Sequence, residues 1–204
     1  MSRILENFPL FPISIIIFPG EIQPIHIFEK RYKQLINDME SSGEIFGIPF
    51  IKDGKLCEFG SGVVIHKILA KSPGGEMDIL VRGVNLFKMM SIEEQLPGKL
   101  YAGGSVMILD EMNKTAVQML QEKFITYKQQ LSVINKMPGN TTDAHFPRHI
   151  LDIAGQLPLE IDEKYKIIKL SNSELREQLL IEKLNFLLMI NKKLQEVGYK
   201  FYLN

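Results

Sequence analysis

The sequence predicts an α+β fold in which a β-rich first half is followed by a helical second half. Three observations carry this expectation. Up to about Asp110, Gly and Pro recur and apolar residues gather in short β-favouring runs. From about Asn113 onward Gly is rare and apolar residues fall at spacings of three and four. Turn signals such as Asp53-Gly54 divide the first half at hairpin spacing. Strands first and helices after them read as α+β, with a β-rich subdomain expected over residues 1–112 and an α-helical one over 113–204.

Taken in order, Ile13 to Phe18 reads as a strand ended by Pro19-Gly20. Ile22 to Phe28 reads as a second extended piece, with Pro24 placing it at an edge or beside a bend. Phe28 to Met39 has helical spacing, since Tyr32, Leu35, Ile36 and Met39 share one face, and Ser41-Ser42-Gly43 stops it. Glu44 to Lys52 and Lys55 to Phe59 flank Asp53-Gly54 as a hairpin. Gly60-Ser61-Gly62 marks a bulge or corner before a strand from Val63 to Ala70, and Ser72-Pro73-Gly74-Gly75 turns the chain again. Met77 to Arg82, Leu86 to Ile92 and Ala102 to Leu109 complete the strands. Short strands at this spacing, with one early helix, imply a curled sheet or partial barrel.

The second half opens with an apolar stripe through Val117, Leu120, Phe124, Tyr127, Leu131 and Ile134, ended by Pro138-Gly139-Asn140. A second helix is expected to start near Pro147 and to carry Ile150, Ile153, Ala154 and Leu157. A short third one is expected from Glu160 to Leu170. The last opens on Ser171-Asn172-Ser173-Glu174, which reads as a capping box. From Leu184 to Ile190 only Asn185 is polar, so this helix is expected to sit centrally, covered on more than one side.

Composition bounds the function. The chain has 204 residues, 45% apolar and 24% charged, which suits a soluble domain with a real core and excludes general disorder. Lys+Arg and Asp+Glu balance at 24 each, and no dense basic run occurs, so nucleic-acid binding is disfavoured. Cys57 is the sole cysteine, which rules out an intramolecular disulfide and suits a reducing compartment. The run Ile15 to Phe18 lies between Pro12 and Pro19, too short to cross a bilayer, and no other segment reaches spanning length. The sequence reads as cytoplasmic, without a membrane role.

Three segments carry a resemblance. Leu10-Phe11-Pro12, Phe18-Pro19-Gly20 and Pro24-Ile25-His26-Ile27-Phe28-Glu29-Lys30-Arg31-Tyr32 together resemble the opening signature of the Lon protease amino-terminal (substrate-binding) domain family. Asp78 to Lys88 resembles that family's hairpin around an Arg-Gly corner, and the stretch from Ile150 to Leu188 is similar to its helical half. The resemblance implies a PUA-like β pseudo-barrel followed by a helical bundle, in a free-standing relative without the ATPase and protease domains. It further implies a non-enzymatic module that binds unfolded or apolar polypeptide segments or a protein partner, with no cofactor. Glu29, Lys30 and Arg31 are the residues it links to substrate handling. Phe18, Ile22 and Ile25 beside them would offer apolar contacts and an open strand edge. A small-molecule or RNA binder on a PUA-like barrel is the alternative, and an enzyme with a cryptic site is a second one.

Chemistry-bearing residues are otherwise sparse. No G-x-x-x-x-G-K-[ST] phosphate loop occurs; Gly98-Lys99 is followed by Leu100 and lacks the first glycine. His26 reads as a support for the turn into the first helix, and Glu29 as an acid in that helix's first turn, where its charge favours the helix dipole, rather than as an acid–base pair. His145 and His149 have the spacing of a metal pair, but Pro147 between them takes the two rings off a common face, with only Asp143 and Asp152 nearby, so no metal site is expected. Cys57 reads as a buried thiol acting as a small apolar residue. Gly74-Gly75 and Gly103-Gly104 serve turns and bulges. Of the adjacent Met89 and Met90, at most one faces inward on a strand, leaving the other exposed.

Overall fold

The computed structural model describes residues 3–109, 114–134 and 147–201, the last five without their side chains. The expected helix end at Pro138-Gly139-Asn140 and the pair partners Asp143 and His145 lie outside the described residues. The chain forms two compact units, one of residues 1–112 with 155–168, the other of 113–154 with 169–204. Relative to a single cut after residue 112, one segment differs: 155–168 returns to the β-rich unit. Its helix packs there through Tyr165, whose ring meets Phe50 and Phe59 at 5.2 and 6.3 Å.

The β-rich unit holds β1 (Ile4–Leu10), β2 (Ile22–Ile27), α1 (Lys30–Ser42), β3 (Phe46–Lys52), β4 (Lys55–Lys71), β5 (Met77–Met89) and β6 (Ala102–Ile108). The strand order is β2-β5-β4-β3-β1-β6, and β6 pairs back onto the end of β5. Five strands therefore close on themselves, with β2 added along the first half of β5. Every pairing is antiparallel except β1 with β3. The Asp53-Gly54 turn forms as its sequence requires, with φ of 51° and 72°. Helix α1 turns Tyr32, Leu35, Ile36 and Met39 onto a core shared with Phe46, Ile48, Val63, Ile79 and Val81. Gly43, at φ 70°, ends this helix and donates to Met39 O.

Several elements depart from the sequence pattern. Strand β1 has no clean alternation because its register shifts between Leu5 and Phe8, where Asn7 takes φ 52°. Ile13 to Phe18 is extended but not a strand; it makes a single bridge, Ile13 to Phe50. Its apolar residues are consecutive because the segment crosses the core. Ser61 Oγ accepts the Ile17 N–H at 2.9 Å and Glu21 Oε2 accepts that of Phe18 at 2.9 Å, in place of a ladder. The two runs on either side of Gly60-Ser61-Gly62 are one 17-residue strand with a register shift at Gly62. Likewise the expected Arg-Gly corner is no corner: Arg82 and Gly83 lie within β5, where the strand changes partner from β2 towards β6.

Glycine at position 83 answers to a close approach. Gly20 N–H donates to its carbonyl and its own N–H donates to Glu21 O, both at 2.9 Å, so the 18–21 turn lies against it. A Cβ at this position would overlap Phe18 O.

In the same unit α4 (Ile161–Lys169) places Lys164 beside Glu21, at 2.6 Å, with both side chains about nine-tenths buried. Lys164 also donates to Ile16 O at 3.1 Å.

The helical unit contains α2 (Gln118–Ile134), α3 (Ile150–Ala154) and α5 (Ser173–Phe201). Pro147 lies before α3 rather than in its first turn, in an extended stretch where His149 bridges Thr115. Asn172, not Ser171, caps α5: its Oδ1 accepts the Glu174 N–H at 2.8 Å. Glu177, buried, accepts the Val117 N–H ahead of α2 at 2.7 Å. Helix α5 is not enclosed on all sides. Leu180 and Leu184 are buried, whereas Phe186, Met189 and Leu194 are exposed.

Gly83→Ala is expected to lower unfolding free energy by about 2 kcal/mol, because the methyl group displaces a backbone that carries two hydrogen bonds. Urea denaturation checks it, and an unchanged midpoint would contradict the close-approach account.

Candidate binding surface

The entry to α1 places side chains at two shallow clefts of the β-rich unit. The first, about 420 Å³, is lined by Pro24, Ile25, His26, Leu69, Asp78 and Ile79. The second, about 580 Å³, is lined by Arg31, Ile92, Glu94, Gln95, Leu100 and Ala102. The segment from Pro24 to Arg31 runs from one to the other. Phe28, on this segment, is 60% exposed and its ring stacks on His26 at 6.0 Å and 21°.

One face of α1 builds the second cleft. Arg31, Gln34 and Asp38 follow at three and four and so line up beside the buried stripe. Gln34 Oε1 accepts the Leu100 N–H at 2.7 Å. Asp38 Oδ2 accepts both Lys99 Nζ and Tyr101 Oη, each at 2.8 Å. The loop bearing Leu100 is thereby fixed with that side chain half exposed, and Ile92 is exposed with it. The hydrogen bond from Lys99 holds the Asp38 carboxyl below its ordinary range against the opposing effect of burial, and the Tyr101 hydroxyl adds to it. Burial, then Asp38, pushes the Tyr101 hydroxyl well above its ordinary value. Gly98-Lys99 thus belongs to a turn, with Gly98 at φ 73° and Lys99 committed to Asp38.

The residues singled out from sequence separate in the structure. Glu29 is the N-cap residue of α1 without a side-chain cap bond; it pairs instead with Arg31 at 2.8 Å. Arg31 also lies 4.5 Å over the Tyr32 ring. Lys30 is exposed. Phe18 is fully buried beneath Lys164 Nζ, 5.6 Å from its ring centre, so its side chain presents no surface. Ile22 is exposed on β2, and Ile25 is half-buried between its cleft and the core.

The β2 edge is less open than its sequence implies. The Gly83 N–H bond to Glu21 O sets the alternation, so Gln23, Ile25 and Ile27 exchange hydrogen bonds with β5. The backbone groups of residues 22, 24 and 26 then point to the free edge, where Pro24 offers no N–H. Proline in that place blunts an edge against an added strand.

His26 sits on β2, not in the turn before α1, and its Nδ1 lies 2.7 Å from Asp78 Oδ1 across the β2–β5 pair. Cys57 is partly exposed on β4 rather than buried. It lies beside Tyr165, whose hydroxyl is raised first by burial and then by the hydrogen bond with Cys57. His149 faces Asp152 at 3.5 Å. Among the described residues no group of three or more His, Cys, Asp or Glu is placed to hold a metal ion, and no helix is long and apolar enough to cross a membrane. Met89 is half-buried against the small core of Phe8, Leu10, Phe87, Val106 and Ile108, while Met90 is exposed. Sequence reasoning missed Phe28, Leu69, Ile92 and Leu100 as surface residues. Their apolar character is all that the sequence displays, and it marks core and rim alike.

The model of the ATP-dependent protease La (LON) substrate-binding domain matches residues 7–185. Lon protease 1 of Hydrogenovibrio crunogenus (strain DSM 25203 / XCL-2) is 24% identical over 220 residues, covering 94% of this chain and 26% of that protein. The chain therefore spans about a quarter of the length of the curated relative it matches. Among solved structures, the Lon N-terminal domain protein from Xanthomonas campestris superposes with a TM-score of 0.62 at 20% identity, covering 85% of this chain and 96% of the other. The N-terminal domain of the Mycobacterium avium complex Lon protease does so with 0.55 at 16%, covering 87% and 97%. At these identities the two structures share the fold.

Asp38→Asn tests the bracing of the second cleft. A carboxyl held below its unfolded value contributes stability above the unfolded value and loses it as pH falls through the folded one. The wild type should therefore exceed the variant by about 1 kcal/mol at neutral pH, and the gap should close in acid below about pH 4. Thermal melts across pH check this, and a gap that persists unchanged in acid would refute it.

Proposed function

The chain belongs to the Lon substrate-binding domain family, and on that premise we propose that it is a non-enzymatic module that holds unfolded or apolar polypeptide segments, or a protein partner displaying one. The observation that carries the reading is the set of apolar side chains left exposed around the entry to α1: Ile22, Phe28, Leu69, Ile92 and Leu100. Large apolar side chains gathered around shallow clefts mark interaction surfaces more often than catalytic ones. The match to the substrate-binding domain, rather than to any ATPase or protease domain, supports the same reading.

Binding proceeds by burial of the partner's apolar side chains on these rims, worth about 25 cal/mol per Å² removed from water. Glu29, Lys30 and Arg31 supply charge beside the second cleft. Arg31 lines it directly, and Lys30 stands exposed next to it. With Pro24 guarding the β2 edge, main-chain pairing contributes less than side-chain burial. A weak, adaptable surface of this kind suits many sequences rather than one.

Fluorescence anisotropy of labelled peptides drawn from unfolded proteins should show saturable binding. Replacing Ile92 and Leu100 together by Ser should weaken it about tenfold while leaving the melting temperature unchanged, because both side chains are already half in water. The reading fails if no peptide in a broad set binds.

A further inference from the structure

We infer that the cleft on β2, β4 and β5 selects a basic side chain flanked by an apolar one in an extended polypeptide, with Asp78 as its anionic contact. The inference deepens the binding function proposed above and rests on it. Asp78 stands on the outer face of β5, opposite His26 on β2 and Ala70 on β4. His26, as its Nδ1–H tautomer, donates to Asp78 Oδ1 at 2.7 Å and so orients the carboxylate. Among the described residues Oδ2 accepts no hydrogen bond, and no Lys or Arg comes within ion-pair distance of Asp78.

The carboxylate, 55% exposed, is thus paired with His26 alone among the described residues and edged by Leu69 and Pro24. Leu69 is 52% exposed beside it, Pro24 is exposed and Ile25 half-buried, while Ile79 is fully buried in the core beneath. Phe28, stacked on His26, offers an aromatic face, which attracts a guanidinium or ammonium group and repels a carboxylate. An acidic segment would meet both that face and Asp78 unfavourably. The Pro24 interruption of the free edge removes the sequence-independent route of strand addition, so side-chain chemistry has to supply the selectivity. The occupant that matches every wall of this cleft is Arg or Lys next to Leu or Phe.

The test uses the full chain and three matched unstructured peptides in which Leu and Phe flank a central Arg, Gln or Glu, read by fluorescence anisotropy. The Arg peptide should bind about fivefold more tightly than the Gln peptide, as expected of an exposed charge pair, and the Glu peptide most weakly. Asp78→Asn should remove most of the difference between Arg and Gln, leaving the smaller part that the Phe28 ring supplies, with the affinity for the Gln peptide as it was; Asp78→Lys should turn the preference towards Glu. Equal binding of the three peptides by the wild type, or an Arg preference undiminished in Asp78→Asn, overturns the inference and leaves the broader binding function standing. Failure of all three to bind overturns both.

Discussion

A single carboxylate holds together the part of the molecule from which the candidate binding surface projects. Glu21 accepts the Phe18 N–H, the Gln23 side-chain amide and the Lys164 ammonium, at 2.9, 2.7 and 2.6 Å. Its backbone carbonyl accepts from Gly83. A buried charge is tolerated only when paired and hydrogen-bonded, and removal of one partner from such a pair typically costs about 3 to 5 kcal/mol. Glu21 meets that condition only if the 16–21 turn, strand β5 and helix α4 converge. The convergence also explains why residues 155–168 return to the β-rich unit after the chain has entered the helical one.

From that anchor the surface follows in steps. The turn at Pro19-Gly20 sends β2 along the first half of β5, and β2 leads directly into α1. Helix α1 uses one stripe for the core and the adjacent stripe, Arg31, Gln34 and Asp38, to fix the loop that carries Leu100. The exposed apolar residues are therefore presented by a braced scaffold, which lowers the conformational-entropy cost of the binding proposed above. The two clefts differ in character. One is edged by the Glu29–Arg31 pair and loop residues 92–100, the other by the His26–Asp78 pair with apolar neighbours.

Much of the fold was legible in the chain. The Tyr32, Leu35, Ile36 and Met39 stripe, the Asp53-Gly54 turn and the Gly43 stop each have a local cause, backbone sterics or helical period, that no distant contact overrides. Misreadings cluster where a distant partner replaces a local rule. Ile13 to Phe18 looked like a strand because consecutive apolar residues are buried, but Ser61 and Glu21 satisfy its backbone. The family resemblance implied a corner at Arg82-Gly83, yet the glycine admits a neighbouring backbone within a continuous strand. The Leu184 to Ile190 run looked enclosed, and Phe186 and Met189 are nevertheless exposed.

The candidate surface divides in the same way. The sequence by itself determined the α+β order, the apolar stripes of α1 and α2, the Asp53-Gly54 turn and the family signature from Leu10 to Tyr32. These depend on residues within a few positions of one another. Tertiary structure alone decided that Phe18 is hidden while Phe28 is displayed, and that Asp78 faces His26 across the β2–β5 pair. An apolar side chain reads the same in sequence whether it is covered or bare, because coverage depends on which remote segment packs against it. A charge likewise gains its meaning from the partners that folding brings near it or keeps away.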